Sequence, residues 1–275
     1  MHQNGLSFII AALVALVASA NATAAPKTDL WSRWQVFDAD STTEVDHSAW
    51  DRFLGRYLEA DHPSGINRMH YARVRSADKV DLMTYLETLQ NTAVSRLNRN
   101  EQAAYWINLY NAGTVKVILD HYPVSSITKI DLSSGLFSRG PWEAKIFRIE
   151  GQEVSLNDVE HRILRPIWKD PRIHYAVNCA SLGCPNLQKR AYSATNLEVL
   201  LEKGAREYVN HPRGVFLHGR KLVLSSIYDW FQEDFAGNQR GVISHLLDYA
   251  EPELAAKLEN YPGRISFEYD WSLNE

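Results

Sequence analysis

Three observations predict an α+β fold for this chain. Helical signals crowd the front half, two hairpin patterns with turn glycines stand in the back half, and no regular alternation of strand and helix points to a doubly wound parallel sheet. The expected architecture is one domain over residues 26–275: a helical N-terminal half around a buried central helix, then antiparallel hairpins interleaved with helices. About 250 residues are enough to bury a core without staples.

The first element is set apart from that domain. Leu6 to Val17 is an unbroken run of apolar and small residues, too short to span a bilayer, and the small-residue patterns Ala20-Asn21-Ala22 and Ala22-Thr23-Ala24 follow it. Residues 1–25 therefore read as a secretory signal peptide, and the mature chain is expected to be periplasmic or secreted. No cysteine follows the apolar run to carry a lipid, and no other stretch is long and apolar enough for a membrane span.

The remaining elements follow in order. Asp46 opens a helix to about Glu59, with Trp50, Phe53, Leu54 and Tyr57 on one side, and a second helix covers roughly Lys79 to Gln90. Asn98 with Glu101 three residues on is a capping-box-like start for the longest helix, which ends near His121-Tyr122-Pro123. Apolar residues surround this helix, so it should be the buried central one. KIFRIEGQEVS and GVFLHGRKLVLS read as hairpins around Gly151 and Gly219, and RISFEY as a further strand. Helices are expected over Leu156–Arg165, Asn196–Val209, Ile227–Phe235, Val242–Tyr249 and Pro252–Glu259. Ile173 to Asn178 reads as a strand leading to the cysteines.

Composition narrows function by exclusion. A net charge of -4 and 23% charged residues leave no face-sized excess of Lys and Arg, so nucleic acid held by bulk charge is not expected. The 8 Trp and 13 Tyr suit both a rigid core and a stacking pocket. The expected partner is a small-molecule, peptide or envelope ligand.

Three places carry polar groups where the pattern expects core. Asn108 and Asn111 share one face of the central helix; they either tie down a loop or line a cleft with Tyr110 and Trp106. In EHRILRP, His161 and Arg165 are four apart and project together, whereas the neighbours Glu160 and His161 point about 100° apart. On the assumed strand, His174 and Asn178 face away from Cys179, which makes His161 the better base for it.

HYAVNCASLGCPNL holds both cysteines, and three readings of them stay open. In an exported protein, Cys179 and Cys184 with no other thiol to pair with fit a disulfide. Alternatively Cys179 is a nucleophile, with His161 as base, Asn108 or Asp229 orienting the imidazole, and Arg165 holding an anionic group. Glu160, Asn178 and Trp230 complete the candidate binding set. A metal site of His174, Cys179 and Cys184 lacks a fourth ligand and the usual paired spacing, so no metal and no cofactor is expected. In DWFQEDF, Asp229, Glu233 and Asp234 supply carboxylates, while Trp230, Phe231 and Phe235 look like core.

AYWINLYNAGTVKVILDHYP, VSLNDVEHRILRP, DPRIHYAVNCASLGCPNL, IYDWFQEDF and YDWSLN together resemble the family known as domain of unknown function 547, over about Asp46 to the C-terminus. The resemblance singles out Trp106, Asn108, Tyr110, Asn111, Glu160, His161, Arg165, Cys179, Asp229 and Trp230, and implies no particular reaction. A more distant similarity to papain-like and transglutaminase-like thiol enzymes would make Cys179 and His161 a hydrolase or acyltransferase centre. Their order along the chain is reversed from the usual one in those enzymes. The other reading is a noncatalytic envelope binding module with a structural disulfide.

Overall fold

A computed structural model describes residues 26–132, 140–219, 221–259 and 261–275. The signal peptide expected at residues 1–25 lies outside the described residues. Helices α1 (Ser48–Tyr57), α2 (Ser76–Gln90) and α3 (Arg99–His121) form the front half. A short pair, β1 (Leu58–Glu59) and β2 (Arg68–Met69), lies between the first two. Asn98 caps α3 by accepting the Glu101 N–H at 3.0 Å, as the capping box predicts. Every residue of α3 from Glu101 to Val115 is buried, so this is the central helix. Gly113 lies where any Cβ would run into the Phe147 ring, which lets the next hairpin pack directly on α3.

That hairpin pairs β3 (Phe147–Ile149) with β4 (Gln152–Val154). Its two turn residues, Glu150 and Gly151, both have positive φ (45° and 78°), the geometry that matches the twist of the flanking strands. In the back half, β5 (Val215–His218) and β6 (Lys221–Ser225) form the second hairpin, and β7 (Ile265–Glu268) joins β6 in parallel. Around this sheet stand α5 (Leu197–Val209), α6 (Ile227–Trp230), α7 (Gln239–Tyr249) and α8 (Pro252–Leu258). Small antiparallel and mixed sheets among many helices make the class α+β. The buried apolar side chains form one cluster around α3 and a second around α5, α7 and the β5–β7 sheet.

Three expected elements differ from the sequence reading. Leu156–Arg165 is not an ordinary α-helix: Asp158–Leu164 is π-helical, followed by a short α4 (Arg165–Trp168). Pro166 is the physical reason. It has no N–H for the Arg162 carbonyl four residues back, and in an α-helix its ring would strike that oxygen. The wider turn has the Arg165 N–H reach back five residues to the Glu160 carbonyl. The freed carbonyls of His161 and Arg162 accept instead from the N–H groups of Asp29 (3.1 Å) and Trp31 (3.0 Å).

The expected strand at Ile173–Asn178 is a 3-10 turn at Pro171–Tyr175, so the alternation argument made for His174 does not apply. Asp170 caps this turn by accepting the Arg172 N–H at 2.9 Å, with Pro171 at its first position. Ile227–Phe235 breaks after Trp230, and Gln232–Phe235 forms a separate 3-10 turn ending at Ala236, φ 63°.

Candidate functional site

The cysteines sit on a loop that α3 positions from below. Asn111 donates to the Ala176 carbonyl (2.9 Å) and accepts the Asn178 N–H (2.8 Å); Asn108 does the same with the carbonyl and N–H of Tyr192. Both central-helix amides therefore tie down backbone, one at each end of the segment 176–192. Asn178 repeats the pattern inside the loop, accepting from Ala180 N–H at 2.8 Å and donating to the Pro185 carbonyl at 2.7 Å. With their donors and acceptors engaged in this way, the three asparagines hold the loop rather than present free amides.

Cys179 and Cys184 form a disulfide, with Cα atoms 6.3 Å apart. The two ends differ. Cys184 is 2% exposed, while Cys179 is only half-buried. The Cys184 sulfur faces the Cys179 N–H (3.0 Å), the Ser181 hydroxyl (3.3 Å) and the Tyr269 hydroxyl (3.1 Å). Tyr269 Oη also lies 3.2 Å from the Cys179 sulfur. A disulfide carries no S–H, so the hydroxyls are the donors.

From above, the C-terminal segment clamps the loop. The N–H groups of Gly183 and Leu182 donate to the carbonyls of Asp270 and Ser272, both at 2.8 Å, and Asn274 N–H returns to the Ala180 carbonyl at 3.1 Å. A Cβ at Gly183 would stand 2.9 Å from the backbone N and O of Asp270, so the clamp requires glycine there.

A second cluster stands on the π-helix. Arg165, with a side chain 1% exposed, donates through Nε to Asp234 (2.6 Å) and through Nη2 to Glu233 (2.9 Å). Its Nη1 reaches the Pro26 carbonyl (2.9 Å) and His161 Nδ1 (3.0 Å), and its plane lies over Phe231. The pairing of His161 with Arg165 is as the spacing predicts. Because a guanidinium only donates, His161 Nδ1 accepts, and the neutral ring carries its proton on Nε2. Burial lowers the His161 pKa to about 4, with the charge of Glu160 working against the shift.

His174 also belongs to this cluster, with Nε2 2.7 Å from Asp234 and its ring stacked on Phe231 at 4.4 Å. Burial favours the protonated form of Asp234, but hydrogen bonds from His174 and Arg165 outweigh it and hold the pKa at about 2. Glu160 Oε1 lies 3.7 Å from His174 Nδ1 and 4.0 Å from His161 Nδ1. Tyr110 is pushed well above the usual phenol pKa, first by burial and then by the charge of Glu160.

The arrangement thus gathers Glu160, His161, Arg165 and Tyr110 but separates them from some expected associates. The acids nearest the histidines are Asp234 and Glu160, while Glu233 pairs with Arg165 and Asp229 is exposed on α6. Trp106 is fully buried, edge-on to Trp34 and Tyr105, as part of the core. Among the described residues, the polar contacts of the Cys179 sulfur are Ser181 and Tyr269, and those of His161 are Arg165 and Glu160.

Four half-buried rings stand near the disulfide: Trp142, Trp230, Tyr269 and Trp271. Of these, the sequence singled out only Trp230. Tyr269 lies 4.8 Å from Trp230 and 4.7 Å from Trp271; Trp271 stacks on Trp230 at 5.6 Å and meets Trp142 at 5.7 Å. Trp142 and Trp271 pack on the first apolar cluster, Trp230 and Tyr269 on the second, so the rings bridge the seam between the two. Tyr269 also borders a groove of about 380 Å³ that Gly183, Arg213, Phe216, Glu268 and Asp270 help to line. The signal available in sequence was the aromatic run YDW at the end of the chain. Among the described residues, no group of three or more His, Cys, Asp or Glu side chains is arranged to hold a metal ion, and no helix is long and apolar enough to cross a membrane.

These features define an α+β protein whose candidate site is a disulfide-pinned loop between an aromatic seam and a buried histidine–arginine cluster. Residues 94–209 match the model of the family described as Protein of unknown function, DUF547. The match spans α3, the π-helix, the cysteine loop and α5. No curated protein and no solved structure matches the chain.

Proposed function

We propose that this chain is an exported binding module whose ligand lies against Tyr269, in the groove and aromatic seam beside the Cys179–Cys184 loop. The observation that carries this reading is the double role of Tyr269: its hydroxyl caps both sulfurs, while its ring joins the half-exposed tryptophans and borders the groove. Clustered aromatic surface next to solvent is a mark of ligand recognition. A groove of about 380 Å³ falls in the range of small-ligand sites. Arg213, Glu268 and Asp270 on its walls add polar partners, so the ligand expected is a sugar or short peptide of the cell envelope, with a ring or apolar face for stacking.

Binding is favoured over a Cys179–His161 acyl-transfer centre because the groups such a centre needs are engaged elsewhere: Cys179 in the disulfide, His161 with Arg165, Arg165 with two carboxylates. The test is a tryptophan-fluorescence titration with envelope glycan fragments and with short peptides. Saturable quenching that Trp271→Ala abolishes, with the melting temperature nearly unchanged, supports the reading. A turnover product from either ligand class, lost in Cys179→Ala, would replace it with a hydrolase.

A further inference from the structure

We propose that the Cys179–Cys184 pair is a thiol–disulfide exchange site, with Cys179 the attacked sulfur and Cys184 the leaving one. The inference rests on the disulfide and the groups that touch its loop, so it does not depend on a ligand in the aromatic seam. Two asymmetries point to it.

The first is access. A thiolate has to approach one sulfur along the axis of the bond it breaks, and of the two cysteines Cys179 is the one that keeps part of its surface in solvent. The second is a donor that only Cys184 has. The Ser181 and Tyr269 hydroxyls face both sulfurs, at 3.3 and 3.1 Å from Cys184 and 3.4 and 3.2 Å from Cys179, whereas the Cys179 N–H, at 3.0 Å, points at the Cys184 sulfur alone. Donors of this kind lower the pKa of a thiol, and a leaving sulfur of lower pKa departs faster. A bond that only staples a loop needs neither feature.

The step balances without any cofactor. A thiolate of a partner dithiol attacks the Cys179 sulfur, forming a mixed disulfide as the Cys179–Cys184 bond breaks. The electron pair of that bond leaves on the Cys184 sulfur, where the N–H and hydroxyls hold the new thiolate. The partner's second thiolate then attacks its own sulfur in the mixed disulfide and expels Cys179 as a thiolate, which takes a proton from water. The partner dithiol is oxidised to a disulfide by two electrons, and the Cys179–Cys184 pair is reduced by two. The loop survives the opening because main-chain bonds from Ala180, Leu182 and Gly183 to the 270–274 segment hold it without the disulfide. The substrate class is therefore a peptide or small molecule bearing two thiols, or its disulfide in the reverse direction.

The experiment has two arms. Native protein is treated with dithiothreitol and quenched with an alkylating agent, with far-UV circular dichroism recorded throughout; the expected result is reduction of the pair with the fold retained. Cys184→Ser and Cys179→Ser, each checked by melting temperature, are then exposed to glutathione disulfide and followed by intact mass. The thiol of Cys179 in the first variant should form the mixed disulfide about tenfold faster than the thiol of Cys184 in the second. Reduction that requires denaturant, or a rate order that is equal or reversed, overturns the proposal.

Discussion

Three of the four buried histidines among the described residues set how this protein responds to mild acid. His47, His161 and His245 are 6%, 5% and 9% exposed, and burial lowers each pKa from 6.5 to about 4. Their surroundings differ: His47 contacts Tyr85, His161 contacts Arg165 and Glu160, and His245 contacts Tyr175 and Phe235 near Asp248. A folded pKa below the unfolded one means that protonation favours the unfolded chain. The stability that the neutral rings contribute is complete above pH 6.5 and is lost as pH falls toward 4. At pH 5 the unfolded imidazole is almost fully protonated and the folded one hardly at all, a difference of about 2 kcal/mol per histidine. Three such groups cost about 6 kcal/mol between pH 7 and pH 5, a large share of the roughly 5–15 kcal/mol that holds a domain folded.

The assay is urea denaturation at pH 7 and pH 5 for the native chain and for His161→Gln. The variant loses some stability at both values, so the quantity to read is the difference between them. It should be smaller in the variant by about 2 kcal/mol. Equal differences in the two proteins, or a native chain whose midpoint does not move over this range, would refute the argument that these rings are buried neutral.

Arg165→Met removes the partner shared by Asp234, Glu233 and His161, and should cost about 3 kcal/mol in denaturant titrations by leaving buried charge uncompensated. Gly183→Ala pushes a methyl group against the Asp270 backbone and should lower stability by about 2 kcal/mol, with faster amide hydrogen exchange at Leu182 and Asn274 as the local sign. Asn111→Ala leaves the Ala176 carbonyl and the Asn178 N–H unpaired in the interior, for an expected loss of about 2–4 kcal/mol; thermal melts that match those of the native chain would mean that water replaces the amide.

The fold was largely legible because its main elements are locally encoded. The capped, all-round apolar α3 and the Glu150-Gly151 turn each state their structure within a few residues. The π-turn was not, although its cause is in the sequence: Pro166 looks like the end of an α-helix until the N-terminal segment is known to supply donors for the freed carbonyls. The Asp170-Pro171 pair announced a helical start that the apolar run behind it masked. At the site, the spacing of His161 and Arg165 was sufficient because both lie on one element. Asp234 and Tyr269 reach it from 60 to 90 residues away, and nothing in local spacing encodes such a distance.

Both described ends of the chain close upon its middle: residues 29 and 31 pair with the turn at 161–162, and residues 270–274 pair with the loop at 180–183. Such links span more than a hundred and nearly ninety residues, so their loop-closure entropy must be met before they stabilise anything. The consequence is kinetic. Helices α2 and α3 assemble from near neighbours and can form early, whereas the cysteine loop is locked only once the last residues are in place, which makes its closure a late step in folding.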